Sequence, residues 1–273
     1  VKGFRMRKEV VASVMLAAFV LPIAAFADTN ITAVGSTALL PLVKQSAADY
    51  QDKHPDVKIS VSGGGSFVGI AQAQNGNADM GDSDVVASGS SGLIDHRVAV
   101  VGFGVVVNTS AGVTNLKASQ IRGIFSGRVT NWKDVGGKDQ PIVVINRPRT
   151  SGTRFVFNAT IMGTSKILET GLTEDSSGAV VATVATTPGS VTYVALGYAK
   201  DKPVTVVNVD GVAPTVANIR AGKYPIWSYE HIFTKSKNQA VEDFIAFISG
   251  NTDALEKLGY IKVSTMKVHE ANR

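Results

Sequence analysis

From Asn30 onward the chain alternates short apolar runs with longer segments whose apolar residues recur at helical spacing, the pattern of an α/β protein. Ile31 to Val34 reads as a strand. Thr37 to Lys53 follows as a helix, with Leu39, Leu40, Val43, Ala47 and Tyr50 near a common face and His54-Pro55 as its stop. Val57 to Val61 alternates as a strand does, and Gly63-Gly64-Gly65 turns the chain into a second helix from Ser66 to Gln74, closed by Asn75-Gly76. Asp79 to Asp84 reads as a polar turn. Val98 to Val107 is almost wholly apolar, as expected of a strand buried on both faces.

After Asn108 the same alternation resumes. Ala118 to Phe125 predicts a helix and Pro141 to Ile145 a strand; Gly178 to Val184 and Ser190 to Tyr198 read as helix-like, and Val204 to Val209 as a strand. Tyr224 to Thr234 is an extended aromatic stretch, and Asn238 to Leu258 an amphipathic helix. No long linker divides the chain. The expectation is two α/β lobes: residues 28–107 begin the first, 108–227 form the second, and 228–273 return to complete the first.

The opening residues stand apart from this pattern. Lys2, Arg5, Arg7 and Lys8 precede an apolar run from Val10 to Ala25, and Ala25-Phe26-Ala27 is a small-x-small cleavage signal, so residues 1–27 read as a signal peptide cut after Ala27. The apolar run is shorter than the ~20 residues of a spanning helix and contains Pro22, which argues against a retained anchor. Without the leader the chain keeps 23 basic and 21 acidic residues, a formal charge of +2 in place of +5. That balance, with no lysine run among aromatics, gives no argument for nucleic acid. The chain has no cysteine, so it carries neither disulfides nor a lipid-modified cysteine at the cleavage site. A periplasmic or secreted protein acting as a monomer is expected.

Candidate chemistry concentrates where strands turn into helices. Gly35-Ser36-Thr37, Gly63-Gly64-Gly65-Ser66 and Ser151-Gly152-Thr153 each place hydroxyls and uncrowded amides before a helix, and Arg147 stands four residues ahead of the third. Helix N-termini and an arginine fork are the donors an oxyanion needs. Each serine or threonine taken singly is equally well an ordinary N-cap. Asp84 reads either as a surface turn residue like Asp79 and Asp82, or as an acceptor for an anion that carries a proton. Phosphate near neutral pH keeps a hydroxyl and sulfate does not, so a carboxylate here would favour the first and repel the second.

Together these segments resemble the phosphate-binding proteins of high-affinity phosphate ABC transporters. The likeness rests on Gly35-Ser36-Thr37, on Gly63 to Ser66, on the run from Asn75 to Asp84, on Ile121 to Asp134 and on Arg147 to Phe157. It implies a two-lobed, venus-flytrap periplasmic-binding-protein fold with a mixed sheet in each lobe and a ligand cleft between them. It further implies phosphate contacts from Thr37, the Ala38 amide, Ser66, Asp84, Arg147, Ser151, Gly152 and Thr153, no cofactor or metal, and delivery of phosphate to a membrane permease. One position departs from the pattern. Many relatives carry an acid two residues after the clamp arginine, where it can orient that side chain; here the residue is Arg149. Either another group orients Arg147 while Arg149 points to solvent near the cleft mouth, or Arg149 joins the cleft.

Other readings have less to stand on. The same fold tuned to sulfate or molybdate is one, and an extracellular phosphomonoesterase or a cell-surface interaction protein is another. The chain has no Gly-x-Ser-x-Gly elbow and no Gly-x-x-x-x-Gly-Lys-Ser/Thr loop, and His54, His96, His231 and His269 lack metal-ligand spacing. No catalytic residue is assigned.

Overall fold

The computed structural model describes residues 29–169 and 171–268. The leader, its cleavage site and His269 lie outside the described residues. In chain order the first elements are β1 (Thr29–Gly35), α1 (Leu40–Gln51), β2 (Val57–Ser62), α2 (Ser66–Asn75), β3 (Met80–Ser83) and β4 (Ile94–Asn108). Then come β5 (Asn115–Leu116), α3 (Ala118–Phe125), β6 (Val143–Asn146), α4 (Gly152–Phe157), β7 (Leu172–Thr173), α5 (Ser177–Thr186), β8 (Ser190–Ala195) and α6 (Leu196–Ala199). The chain ends with β9 (Val204–Val206), β10 (Asn208–Val209), α7 (Val216–Arg220), β11 (Trp227–Thr234), α8 (Gln239–Gly250) and α9 (Thr252–Leu258).

The principal hydrogen-bonded strand order is β2-β1-β3-β11-β4-β8-β6-β7, with β9 also on β4. β4 joins its two halves. Ile94 to Gly102 pair antiparallel with β11, and Phe103 to Val107 pair antiparallel with β8. Both halves are mixed: β1 runs parallel to β2 and β3 in the first, and β6 runs parallel to β8 in the second. Where β4 changes partner, the Phe103 N–H donates to the Ile226 carbonyl at 2.9 Å, so the two crossing segments are tied together there. Val98 to Val107 are buried throughout, in keeping with their unbroken apolar run, and α5, α6 and α8 pack against β4.

Two clusters position the loops. Phe157 stacks on Tyr193 at 4.2 Å and Phe125 meets Phe157 at 4.8 Å, which locks α3 and α4 onto β8. On the other half, Tyr50 of α1 meets Phe244 of α8 at 5.3 Å, so the C-terminal helices cover the sheet that β1 begins. Such aromatic pairs contribute roughly 0.5–1.5 kcal/mol beyond their area.

Four local expectations are corrected. Asp79 to Asp84 is not a turn; Met80–Ser83 is a fully buried strand between β1 and β11, where sheet pairing outweighs the polar composition. Ser190–Ala195 is a central strand, consistent with its β-branched and aromatic Val191, Thr192, Tyr193 and Val194, and only Leu196–Ala199 is helical. The C-terminal helix is two helices. Asn251 breaks it by leaving the helical region and capping α9, its side chain accepting the Ala254 N–H. Val204 to Val209 likewise divides into two short strands.

Candidate oxyanion site between the two halves

The three small-residue turns converge on one seam. Thr37 leads into α1 and Ser66 opens α2 on the first half; Ser151, Gly152 and Thr153 start α4 on the second. Asp84 follows β3, and Arg147 follows β6. Thr37, Ala38, Ser66, Asp84, Arg147, Ser151 and Thr153 are all 6% exposed or less. A buried polar cluster of this kind is tolerated only when its members bond one another or a ligand.

Asp84 lies at the centre. Its Oδ2 accepts the Thr153 hydroxyl at 2.8 Å, its Oδ1 accepts the Ser36 hydroxyl, and its own N–H donates to Ser66 Oγ at 2.9 Å. Burial pushes the Asp84 carboxyl above the ordinary range, opposed by the Ser36 and Thr153 hydroxyls and by the Arg147 charge.

Arg147 is 1% exposed. Its Nε donates to the Glu174 carbonyl at 3.1 Å and its Nη2 to the Asp175 carbonyl at 3.3 Å, while Nη1 reaches Ser177 Oγ at 3.3 Å and Nη2 reaches Thr37 Oγ1 at 3.0 Å. Backbone carbonyls thus orient the guanidinium, which resolves the question raised by the missing acid. Burial draws its pKa down, with Asp84 opposing. Arg149 lies outside this set: its side chain is 83% exposed and pairs with Glu169 at 3.2 Å. Glu169 also takes Arg154 at 2.8 Å, and Arg154 Nη1 donates to the Arg147 carbonyl at 2.8 Å.

The seam is tight enough to require glycine. A Cβ on Gly152 would stand 2.2 Å from Ser66 Oγ and 2.9 Å from Asp84 Cβ, and one on Gly65, at φ +94°, would stand 2.6 Å from the Thr150 carbonyl. The Phe67 N–H donates across the same gap to Thr150 O at 3.2 Å. Two more of the predicted residues have partners within the protein. The Ala38 N–H donates to Ser36 Oγ at 3.0 Å, and Ser151 Oγ caps α4 by accepting the Arg154 N–H at 3.2 Å. Ser36 lies in the first of the three turns but was given no contact of its own, and Ser177, next to the capping Ser176, was not singled out at all. Tyr198, whose hydroxyl donates to the Thr37 carbonyl at 2.7 Å, adds a further tie between the halves.

A two-part α/β frame joined by crossing strands, with a buried donor-rich seam between the parts, defines a receptor of the periplasmic-binding-protein class. The model of the PBP superfamily domain matches residues 22–252. The phosphate-binding protein PstS of Bacillus subtilis is 39% identical over 251 residues, covering 89% of this chain and 83% of the relative. Among solved structures, a putative phosphate ABC transporter substrate-binding protein with bound phosphate from Clostridium perfringens superposes with a TM-score of 0.82 at 29% identity, covering 86% of this chain and all of that one (100%). An ABC-type phosphate transport receptor from Vibrio cholerae gives 0.69 at 32% identity, covering 85% and 99%. The chain belongs to the phosphate-binding protein family of this superfamily.

Proposed function

We propose that the protein is an exported solute-binding protein that captures inorganic phosphate between its lobes and delivers it to an ABC permease. The observation that carries this reading is the pairing of a buried carboxylate, Asp84, with a buried guanidinium, Arg147, in one hydroxyl-lined seam. Arg147 supplies charge-assisted hydrogen bonds to unprotonated oxygens. Thr37, Ser66, Ser151 and Thr153 contribute hydroxyls, and Ala38 and Gly152 contribute amides. For Ala38, capture of the anion exchanges its present bond to Ser36 Oγ. Asp84 takes the phosphate hydroxyl. Against sulfate the same carboxylate faces a bare oxygen, and the repulsion excludes it.

Lobe I comprises residues 28–107 and 228–273 and lobe II residues 108–227, with bending at the crossings, near Phe103 and Ile226. Because Asp84 and Arg147 come from opposite lobes, a bound anion stabilises closure, and the closed form is what a permease receives. The leader is removed after Ala27, and the mature protein acts as a monomer outside the cytoplasm, without catalytic residues. Titration calorimetry with phosphate and with sulfate across pH 5 to 9 tests the reading. Phosphate should bind and sulfate should not; equal or tighter sulfate binding would overturn the role given to Asp84.

A further inference from the structure

The start of α5 faces the same seam. Ser177 is 0% exposed, and its Oγ stands 3.1 Å from Thr37 Oγ1. It accepts from Arg147 Nη1 at 3.3 Å, and its backbone N–H donates to Thr37 Oγ1 at 3.2 Å. Capping does not require its hydroxyl, because Ser176 caps α5 by accepting the Ala179 N–H. The two residues before that cap, Glu174 and Asp175, are those whose carbonyls hold Arg147.

Lone-pair counting makes Ser177 more than a neighbour. A hydroxyl oxygen has two acceptor positions and one proton. Thr37 Oγ1 accepts from both Arg147 Nη2 and the Ser177 N–H, so its acceptor positions are filled. In the contact between the two hydroxyls Thr37 must then be the donor, which leaves the Ser177 proton with no acceptor among the described residues. A surplus donor buried beside the Arg147 guanidinium calls for an acceptor that the described residues do not supply.

We infer that Ser177 is a further anion-contacting residue, its hydroxyl donating to the oxygen that Arg147 also binds. The inference rests on the phosphate reading above and sharpens it. The groups left to meet a ligand here, the Arg147 guanidinium and the Ser177 hydroxyl, are donors, and the positive end of α5 adds to them, so the oxygen bound here is unprotonated. The proton lies at the other end, on Asp84. The ligand class is a tetrahedral oxyanion bearing a hydroxyl on one side and a bare oxygen on the other.

Calorimetry with inorganic phosphate on wild type, Ser177→Ala and Ser176→Ala tests this, together with the 31P resonance of the bound anion and the ligand-free melting temperature. Ser177→Ala should weaken phosphate binding about tenfold or more and move the bound 31P signal, as loss of a hydrogen bond to a charged group does. Ser176→Ala should lower the melting temperature while leaving affinity within about twofold, since it weakens the helix start without removing a donor. Ser177→Gly should repeat the loss seen in Ser177→Ala. If wild type binds phosphate and Ser177→Ala binds within twofold of it, or if Ser176→Ala loses as much, Ser177 is only structural and the inference fails. Failure of wild type to bind phosphate would instead remove the reading beneath it, and the inference with it.

Discussion

The Thr153 hydroxyl donates to Asp84 Oδ2 at 2.8 Å, joining two buried residues 69 positions apart on opposite sides of the seam. In the proposed reading one carboxylate both helps close the seam and reads the proton of the ligand. Replacing it separates the two roles. Asp84→Asn keeps the size and a hydrogen-bonding group but removes the negative charge, so sulfate should become a measurable ligand while phosphate weakens. Competition calorimetry reads the ratio of the two affinities, and an unchanged ratio would contradict the proton-acceptor role.

Arg147→Ala should cost phosphate binding roughly 1.5–3 kcal/mol or more, the scale of a hydrogen bond to a charged group, equivalent to about tenfold to more than a hundredfold in Kd. Arg147→Lys should recover only part of this, because an ammonium cannot span the Glu174 and Asp175 carbonyls while also reaching Thr37. Full recovery by lysine, measured by titration, would show that charge alone suffices.

Arg149 provides the contrast. Exposed and paired with a half-exposed Glu169, it forms a surface ion pair of about 0–1 kcal/mol. Arg149→Ala should leave phosphate affinity within about threefold and the melting temperature nearly unmoved. A loss comparable to that of Arg147→Ala would place Arg149 in the cleft after all.

Gly152→Ala adds a methyl 2.2 Å from Ser66 Oγ, a distance at which something must move. The lobes should then fail to meet. Small-angle scattering with saturating phosphate should show no compaction relative to the ligand-free form, and affinity should fall at least a hundredfold while the melting temperature of ligand-free protein changes little. Normal compaction would mean that the seam relaxes more readily than its contacts indicate.

Asp82 lies fully buried in β3, both carboxyl oxygens without a hydrogen-bond partner among the described residues, and burial raises its pKa well above the ordinary value. A group raised in the folded state contributes its stability below the unfolded pKa, near 4, and loses it as pH climbs through the folded value. Asp82→Asn removes that dependence. Its melting temperature should match or fall below wild type at pH 4 and exceed it at pH 8, each kcal/mol amounting to about 2–4 °C for a chain of this size. A difference that does not vary with pH would rule out a titrating Asp82.

Much of the candidate site was legible because oxyanion donors favour small residues at helix starts, where Thr37, Ser66 and Ser151 to Thr153 occur, with Arg147 four residues ahead of the last. Their convergence was not legible from spacing alone and came through the family resemblance. Asp79 to Asp84 misled because acidic residues suggest a turn, whereas β1 and β11 enclose them in the sheet centre. Ser190 to Tyr198 misled because a short buried apolar run has no periodicity that separates strand from helix. Ser177 was hidden behind Ser176, since one capping serine accounts for the helix start and the second appears redundant. The orienting partners of Arg147 could not be read at all, because backbone carbonyls leave no trace in side-chain identity.

The central claim is that one tetrahedral anion touches Asp84 and Arg147 together. A crystal structure of the protein grown with phosphate tests it most directly. The account predicts tetrahedral density in the seam, within hydrogen-bond distance of the Asp84 carboxylate on one side and of the Arg147 guanidinium on the other. Density bound elsewhere, or touching only one of the two, would contradict it.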